Sequence, residues 1–428
     1  MYCGFDFGTS NSTFGINTHR GCQLIPLEGD KLSIRSAIFC DNEEKKWIFG
    51  QEGIDHYLEG SPGRLMMAIK SLLGSSLMEE KTVIFNQLLP YTHVLSTFVR
   101  HIKQKAETFA GQELTHLVLG RPVRFHDNDD DKDRLAQTTL EAIVREAGFK
   151  EITFQYEPIA AAMAYETSIT KEQLALIVDM GGGTSDFTVI RLRPKQTTAS
   201  RKEDVLSYGG IHIAGTDFDK RISLKTVMPT LGMGSTAKNF GGDIEVPSSF
   251  YHDLTQWHML NQLYKNSNIA RVQAIRTMAN EKHLLSRLMY VLQHRLGHYI
   301  LETVETNKQL LSNQLETTLD LGFIENDLNV SLTRRFMNEL LAEYIQKIVA
   351  QILQTIEQAG VKPTDINAVF YTGGSTKIPE IHNTINPLFP EADIVQGDAF
   401  GSVGLGLTID AERQYGTIFQ RPDDLYCQ

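Results

Sequence analysis

Apolar and polar positions follow two different periods along this chain. Short apolar runs that end at polar turns are typical of strands buried in a sheet. Such runs occur at 4–7, 117–119, 176–179 and 368–372. Longer segments with apolar residues at helical spacing occur at 134–147 and 338–358. Because strands and helices alternate, the pattern predicts an α/β fold in which helices flank mixed sheets.

One pattern occurs twice: an apolar strand ending in Asp, a turn of small residues, and a second strand. The copies span 4–16 and 176–190, with Asp6 and Asp179 in equivalent positions 173 residues apart (179 − 6). The first turn consists of Gly8, Thr9, Ser10 and Asn11, and the second of Gly181, Gly182, Gly183 and Thr184. That separation is about one lobe, so the repeat predicts two related lobes.

These residue types suit a phosphate group. Small residues let backbone N–H groups approach phosphate oxygens, and Thr and Ser hydroxyls add donors. Carboxylates do not bind phosphate directly, but Mg²⁺ keeps several waters and is held by one or two carboxylates together with phosphates. We therefore expect Asp6, Asp179 and Asp186 to hold Mg²⁺ through water. A single glycine-rich turn would be interpreted as an ordinary hairpin turn, whereas two equivalent turns predict a phosphate-binding site.

A third glycine turn follows the strand at 368–372. It comprises Gly373, Gly374 and Ser375, and a helix start is marked by Pro379. Backbone approach at the two glycines suits an adenosine or its α-phosphate. An ordinary strand-to-helix loop is the alternative reading of this turn alone.

Composition restricts the other function classes. The chain has 428 residues, 41% of them hydrophobic, and a formal net charge of −11, which argues against a dedicated nucleic-acid binder. Its four cysteines lack metal-ligand spacing, and no apolar run is long enough to span a bilayer. We expect a cytoplasmic protein with reduced thiols that binds neither nucleic acid nor a membrane.

The motifs together resemble the nucleotide-binding domain of the Hsp70 family, within the actin-like ATPase superfamily. The two hairpins resemble its phosphate loops, and 373–379 resembles its adenosine motif. Further matches, in the family's order, are 68–74, 119–125, 156–166, 215–219, 305–312 and 331–336. The closest likeness is to the YegD-type chaperones of bacteria, through 118–122, 154–158, 228–234 and 397–403. The resemblance implies a two-lobed fold with ribonuclease-H-like sheets, Mg²⁺, and ATP or ADP in the cleft between the lobes.

The resemblance assigns roles at the phosphate end. Lys70 contacts the γ-phosphate and the attacking water, and Glu157 positions water and Mg²⁺. Thr184 donates to the γ-phosphate, while Asp179 or Asp186 orients the water. Without the family match, Lys70 would be read as a surface lysine and Glu157 as a charge that complements a helix dipole.

Contacts with the rest of the nucleotide are implied at more distant positions: Gly215, Glu305, Lys308, Ser312, Gly373, Gly374, Ser375, Lys377 and Asp398. A solvated ion pair between Glu305 and Lys308, three residues apart on a helix, is the ordinary alternative. The acidic run at 127–131 is interpreted as a solvated loop.

The predicted organisation is a first lobe at 1–168 and a second lobe at 169–390 with an enlarged outer subdomain at about 219–300. A C-terminal helical segment at 391–428 completes the nucleotide-binding domain, and we expect its tail at 411–415 to complete or cap the second lobe. No peptide-binding domain is expected after it. The enlarged subdomain is either an insertion packed on its own lobe or a surface for a partner.

The function expected from the resemblance is slow hydrolysis of Mg-ATP to ADP and phosphate by a nucleotide-gated clamp or chaperone-related module. Its partners would be ATP and a protein such as a co-chaperone. Two other classes share the two-hairpin ATP site: small-molecule kinases of the sugar or acetate type, and actin-like filament proteins. No acid aimed at a hydroxyl acceptor, as a kinase requires, is apparent, and nothing in the sequence settles polymerisation.

Overall fold

The secondary structure follows the sequence pattern closely. The computed structural model describes residues 1–18, 20–75, 78, 80–126, 129–194, 201–239, 242–396 and 401–416. In chain order, the elements as far as residue 211 are β1 (Tyr2–Phe7), β2 (Asn11–Thr18), β3 (Gly21–Leu24), β4 (Ser33–Arg35), β5 (Ala37–Asp41), β6 (Lys46–Phe49), α1 (Gly50–Leu58), β7 (Gly63–Met67), β8 (Lys81–Ile84), β9 (Gln87–Pro90), α2 (Tyr91–Ala110), β10 (His116–Arg121), α3 (Asp130–Glu146), β11 (Glu151–Tyr156), α4 (Glu157–Glu166), β12 (Gln173–Met180), β13 (Ser185–Leu192) and β14 (Val205–Ile211).

The elements after residue 211 are mostly helical. They are α5 (Gly215–Thr230), β15 (Thr236–Asn239), β16 (Gly242–Glu245), α6 (Ser249–Leu254), α7 (Leu260–Leu263), α8 (Asn266–Met278), α9 (Lys282–Gln293), α10 (Gly297–Leu310), β17 (Glu316–Asp320), β18 (Asn329–Thr333), α11 (Arg334–Gln358), β19 (Ala368–Thr372), α12 (Pro379–Ile385), β20 (Asp393–Gln396) and α13 (Ser402–Tyr415). All four predicted strands and both predicted helices are present; each contains the predicted residues or a few more, except that the helix predicted at 134–147 ends at Glu146. Among the described residues, none of the helices combines the length and the hydropathy needed to cross a bilayer.

The acidic run was interpreted wrongly as a loop over its second half. Asp130 and Asp131 form the first turn of α3, and the Asp129 carboxylate caps the helix by accepting a bond of 3.0 Å from the Lys132 backbone N–H. Carboxylates are favoured there because they face the unpaired N–H groups at the positive end of the helix dipole. Asp127 and Asn128 lie outside the described residues.

Residue contacts divide the chain into two compact units. The first contains Met1–Ile211, Gln351–Thr376 and the described residues from Asn386 onward, and the second contains His212–Ala350 and Lys377–Ile385. Both repeated hairpins belong to the first unit. The second unit includes the segment predicted to be enlarged, which forms the β15–β16 hairpin and the helices α6 to α9. The lobe boundaries near 168 and 390 stay a prediction.

The two repeated hairpins build two sheets of the same topology. In the first sheet the strand order is β11-β10-β1-β2-β3, with β4 also paired to β2, and in the second it is β14-β13-β12-β19-β20. Each hairpin is antiparallel, and in each sheet its first strand is extended on the other side by two parallel strands. The sequence repeat is therefore also a structural repeat, and both sheets are mixed as predicted.

Two helices, α4 and α13, form an apolar core with these sheets. Buried residues of α4 and α13 pack in one cluster with Val118 from the first sheet and with Ile177 and Phe370 from the second. The helix α13 also lies directly on β1, β2 and β10. Ala411 and Tyr415, from the tail expected to complete or cap the second lobe, lie in this cluster with residues of both sheets, and the assignment of the tail to the second lobe stays a prediction. Leu407 and Ala411 of α13 are fully buried, and the sequence pattern did not specify which sheet they cover.

Glycine makes the close packing of α13 possible. A Cβ atom at Gly406 would lie 1.9 Å from the Ala160 carbonyl oxygen of α4, and one at Gly4 would lie 2.3 Å from the Thr408 nitrogen. In both cases the neighbouring atom belongs to the backbone of a packed element, so it cannot move aside as a flexible side chain would.

Substituting Gly406→Ala is expected to lower the free energy of unfolding by about 1–3 kcal/mol, because the new methyl group overpacks the contact between α4 and α13. Thermal melting measures the effect. The matched control is Gly416→Ala, since a Cβ there meets only the Glu412 side chain and the Tyr2 hydroxyl, both at 3.7 Å. Equal melting temperatures of Gly406→Ala and Gly416→Ala would contradict the close packing of α4 and α13.

Candidate functional site

The two hairpins present their aspartates in equivalent places. Asp6 is the penultimate residue of β1, and Asp179 is the penultimate residue of β12. Asp179 lies opposite Asp186 on β13 in the antiparallel register. Each strand is buried along most of its length, so the carboxylates stand where a buried strand meets its polar turn.

Both hairpin turns are held tightly by small residues. At Gly8 a Cβ atom would lie 2.0 Å from the Asn11 carbonyl oxygen, and the Gly8 carbonyl accepts a bond of 2.7 Å from the Ser36 hydroxyl. In the second turn the Gly181 N–H donates to the Thr184 carbonyl at 3.0 Å. The Thr184 hydroxyl, which is exposed, donates to the Asp186 carboxylate at 2.8 Å. These turns provide small residues and hydroxyl groups next to the aspartates.

The third glycine turn is packed against the second hairpin. Gly373 has a left-handed φ of 80°, and a Cβ atom there would lie 2.3 Å from the Met180 carbonyl oxygen and 2.8 Å from Asp179 Oδ1. Ser375 donates its hydroxyl hydrogen to the Gly181 carbonyl at 2.7 Å. Only glycine fits this position, because any side chain would be strained and would overlap backbone. The turns predicted separately therefore form one neighbourhood.

Lys70 and Glu157 form an ion pair within the same unit. The Lys70 ammonium donates to Glu157 Oε1 at 3.0 Å, and the two side chains are 9% and 15% exposed. Lys70 lies in the 3₁₀ turn Ile69–Leu72, and Glu157 is the first residue of α4. The position of Glu157 in the first turn of α4 agrees with a charge that complements the helix dipole, whereas its role in positioning water and Mg²⁺ stays a prediction. A surface position for Lys70 is excluded by its burial.

Burial and neighbouring carboxylates raise the pKa of two aspartates of this site. Burial raises the pKa of Asp179 to about 7, and the charges of Glu157 and Asp186 contribute to the shift. The pKa of Asp6 is raised well above its usual range by burial and by the charge of Glu157, while Lys70 opposes the shift. One lysine does not balance this group of acids, so a cation is the ligand that the site favours.

The donor chemistry fits a hydrated Mg²⁺ ion. Asp6, Asp179 and Asp186 offer hard oxygen atoms of the kind that Mg²⁺ prefers. In the described parts of the chain, no three His, Cys, Asp or Glu side chains lie close enough together to hold a metal ion directly.

Protonation of Asp179 is expected to stabilise the nucleotide-free protein in a chelator as the pH falls. Between about pH 8 and pH 5, folded Asp179 takes up a proton near its pKa of about 7, whereas the unfolded residue stays ionised down to about 3.8. A state that binds the extra proton gains stability as pH falls, so Asp179 should contribute a rise in melting temperature from pH 8 to pH 6. Asp6 acts in the same direction. The partly buried rings of His101 and His298, whose pKa values are lowered to about 4 chiefly by burial, act in the opposite direction, so the contribution of Asp179 is the difference between wild type and a variant that lacks its carboxylate.

The Asp179→Asn variant should lose part of that gain. Asp131→Asn is the matched control, because the Asp131 side chain is 94% exposed. A gain of the same size in wild type and in Asp179→Asn would contradict the raised pKa of Asp179.

The cavity beside the acids includes residues that the sequence did not point to. Its lining includes Glu157, Asp179 and Asp186 together with Tyr208 and Gly210 of β14. Gly210 pairs with Asp186 across the sheet, and a Cβ at Gly210 would lie 2.8 Å from the Asp186 carboxylate. The sequence contains no motif at these positions, and only the pairing of β14 with β13 brings them to the site.

The remaining predicted contacts lie in the second unit, with one exception outside the described residues. Lys308 donates to Asp219 at 2.7 Å and to the Gly215 carbonyl at 3.1 Å. The ordinary alternative to a nucleotide contact was an ion pair between Lys308 and Glu305. The sequence did not point to Asp219, the last residue of the motif at 215–219, as the partner of Lys308. Glu305 accepts a bond of 3.2 Å from Gln309.

The other predicted contacts are placed as follows. Ser312 follows the end of α10 with its backbone N–H bonded to the Gln309 carbonyl, and Lys377 is exposed. Asp398 lies outside the described residues.

Two like sheets, each with a phosphate-type hairpin and flanked by helices, define the Hsp70/actin-like ATPase fold. A family model described as "Hsp70 protein" matches residues 2–228 and 289–416. The chain belongs to the Hsp70 family. The predicted fold class is thereby confirmed, and the protein is an ATP-binding protein of the Hsp70 type. Members of this family bind ATP or ADP with Mg²⁺.

Proposed function

We propose that this chain binds Mg-ATP at the acidic site of the first unit and hydrolyses it slowly to ADP and phosphate. The hydrolysis would drive a nucleotide-gated clamp or a chaperone-related module with a protein partner. The observation that carries the proposal is the buried pair of Lys70 and Glu157, placed where its charges act on Asp6 and Asp179. Family membership favours this activity over a sugar or acetate kinase and over a filament protein.

The residues of the site suit phosphoryl transfer to water. That reaction requires mainly positioning and neutralisation of charge, with little covalent chemistry from the protein. In the proposal, the Lys70 ammonium turns from Glu157 toward the terminal phosphate, and the Thr184 hydroxyl turns from Asp186 to donate to the same group. Mg²⁺ would supply positive charge at the phosphates when bound. Glu157 and Asp179 would then accept hydrogen bonds from the attacking water.

The nucleotide would act as a switch through its differential contacts. A ligand shifts a conformational equilibrium only by the difference between its affinities for the two states. The adenosine contacts in this proposal are those implied by the family resemblance at Gly215, Glu305, Lys308 and Ser312. The assignment to the YegD-type chaperones and a cytoplasmic location remain part of the proposal.

Calorimetric titration with Mg-ATP, followed by phosphate release over hours, tests the function. We expect heat from one binding site per chain and then slow accumulation of phosphate. Binding without phosphate release would overturn hydrolysis and leave a nucleotide sensor. Absence of binding in the presence of Mg²⁺ would overturn the site itself. Phosphate release that depends on an added sugar or acetate would favour the kinase class instead.

A further inference from the structure

One segment of the second unit reverses the charge of the rest of the chain. Residues 254–301 contain six Lys and Arg residues and a single acid, Glu281, for a formal charge of +5. The whole chain carries −11, so the remainder carries −16 (−11 − 5). Most of this segment falls between the two stretches that match the Hsp70 family model, 2–228 and 289–416.

The segment folds around a helical hairpin. Three residues separate α8 from α9, and the Tyr264 hydroxyl, just before α8, accepts a bond of 3.0 Å from the Gly297 N–H, just after α9. The two helices are therefore antiparallel, with Val272, Leu285 and Leu292 buried. Six exposed residues on these helices or beside their ends are together called the hairpin surface: Lys265, Arg271, Met278, Lys282, Tyr290 and Arg295.

The cations of the hairpin surface are not neutralised by neighbouring acids. By contrast, Arg287 on the same hairpin pairs with Glu325 at 2.7 Å and is left out of the surface for that reason. In the part of the chain that the structure describes, no ion pair involves Lys265, Lys282 or Arg295. The Arg271 guanidinium carbon lies over the Phe250 ring, 5.1 Å from its centroid, and the residue as a whole is exposed.

Arg295 occupies an unusual backbone position. Its φ is 55°, in the left-handed region after the end of α9, where glycine or asparagine has a lower conformational energy than arginine. Met278 and Tyr290 add apolar area, at 48% and 41% exposure. Arg, Met and Tyr are enriched in protein–protein interfaces relative to the rest of the surface, and all three occur here.

We propose that the hairpin surface docks an acidic polypeptide segment that carries at least one apolar side chain. Charge complementarity favours an anionic partner, and Met278 and Tyr290 favour one that also buries apolar groups. A nucleic acid is disfavoured because the Tyr290 ring already packs against the His294 ring, at 4.1 Å between centroids and 37° between planes, so one ring face is partly covered and less open to stacking by a base. The charge of −16 elsewhere on the chain also repels a long polyanion more than it repels a short acidic segment.

Fluorescence anisotropy of labelled probes with the full chain tests the proposal. The probes are a short peptide of alternating glutamate pairs and leucine, the same peptide with each glutamate replaced by glutamine, and a single-stranded oligouridine. Each is titrated at low and at physiological salt. We expect the glutamate peptide to bind most tightly and its affinity to fall as the salt concentration rises.

A charge-reversal variant and a matched control identify the surface. We expect binding of the glutamate peptide to weaken at least about tenfold in the triple variant Arg271→Glu, Lys282→Glu and Arg295→Glu. Lys46→Glu, Lys150→Glu and Arg335→Glu change the net charge equally at side chains that are 66%, 66% and 90% exposed, and should keep most of the binding. Melting curves verify folding, and Lys282→Glu alone repeats the test with one change.

Several results would overturn the inference. Tighter binding of oligouridine than of the glutamate peptide would make the surface a nucleic-acid site. Equal binding of the glutamine peptide would remove the role of charge. An equal loss in the control variant would mean that overall charge, and not the hairpin surface, attracts the peptide.

Discussion

The Asp179→Asn variant is expected to hydrolyse ATP more slowly than wild type by on the order of a hundredfold, as is typical when a group that stabilises developing charge is removed. Asp179 is proposed to orient the attacking water and the hydrated cation, and an amide performs neither task as well because it lacks the charge. Single-turnover phosphate release, with protein in excess over Mg-ATP, measures the effect without interference from product exchange.

The fold of this variant should be unaffected. Asp179 shares its surroundings with Glu157 and Asp186, whose charges raise its pKa, so removing its charge relieves repulsion at neutral pH. The variant should therefore melt no lower than wild type. Asp131→Asn is the same chemical change at an exposed site and should keep wild-type turnover. Normal melting together with unchanged phosphate release in Asp179→Asn would remove Asp179 from the mechanism.

The second large effect on ATP turnover is expected for the Lys70→Ala variant. We expect turnover to fall between about tenfold and about 150-fold, because a lost hydrogen bond to a charged group costs about 1.5–3 kcal/mol. Nucleotide binding should persist, since the turns after β1, β12 and β19 remain. The same phosphate assay, together with a calorimetric binding titration, separates the two effects.

Controls for Lys70 follow from its environment. Lys46→Ala removes a lysine whose side chain is 66% exposed and should leave turnover unchanged. Because Lys70 and Glu157 contact each other, Glu157→Gln and Lys70→Ala should not be additive, and the double variant should turn over nearly as fast as the slower single variant. Strictly additive losses would mean that the two residues act separately, and equal turnover in Lys70→Ala and wild type would exclude Lys70.

Local sequence pattern was sufficient for the elements and for the turns. The aspartates at the ends of β1 and β12, the glycine turns behind them and the helix that begins at Glu157 all depend on neighbours within a few residues. Their periodicity and turn chemistry are therefore visible in the chain itself. The repeat also determined that two hairpins of one kind exist, and the structure extends it to two sheets of one topology.

Only the tertiary structure decided which distant groups meet. Lys70 and Glu157 are separated by 87 residues, and their pairing depends on the packing around α4. Lys308 pairs with Asp219 instead of Glu305, because α5 packs beside α10.

The packing partners of helix α13 were likewise not determined by local sequence. Its apolar positions specify a buried helix, but close contact at Gly4 and Gly406 decides that it lies on the first sheet and on α4. An apolar face is complementary to many surfaces, whereas backbone approach within a few ångströms selects one, and that selection requires residues far apart in the sequence to be in place together.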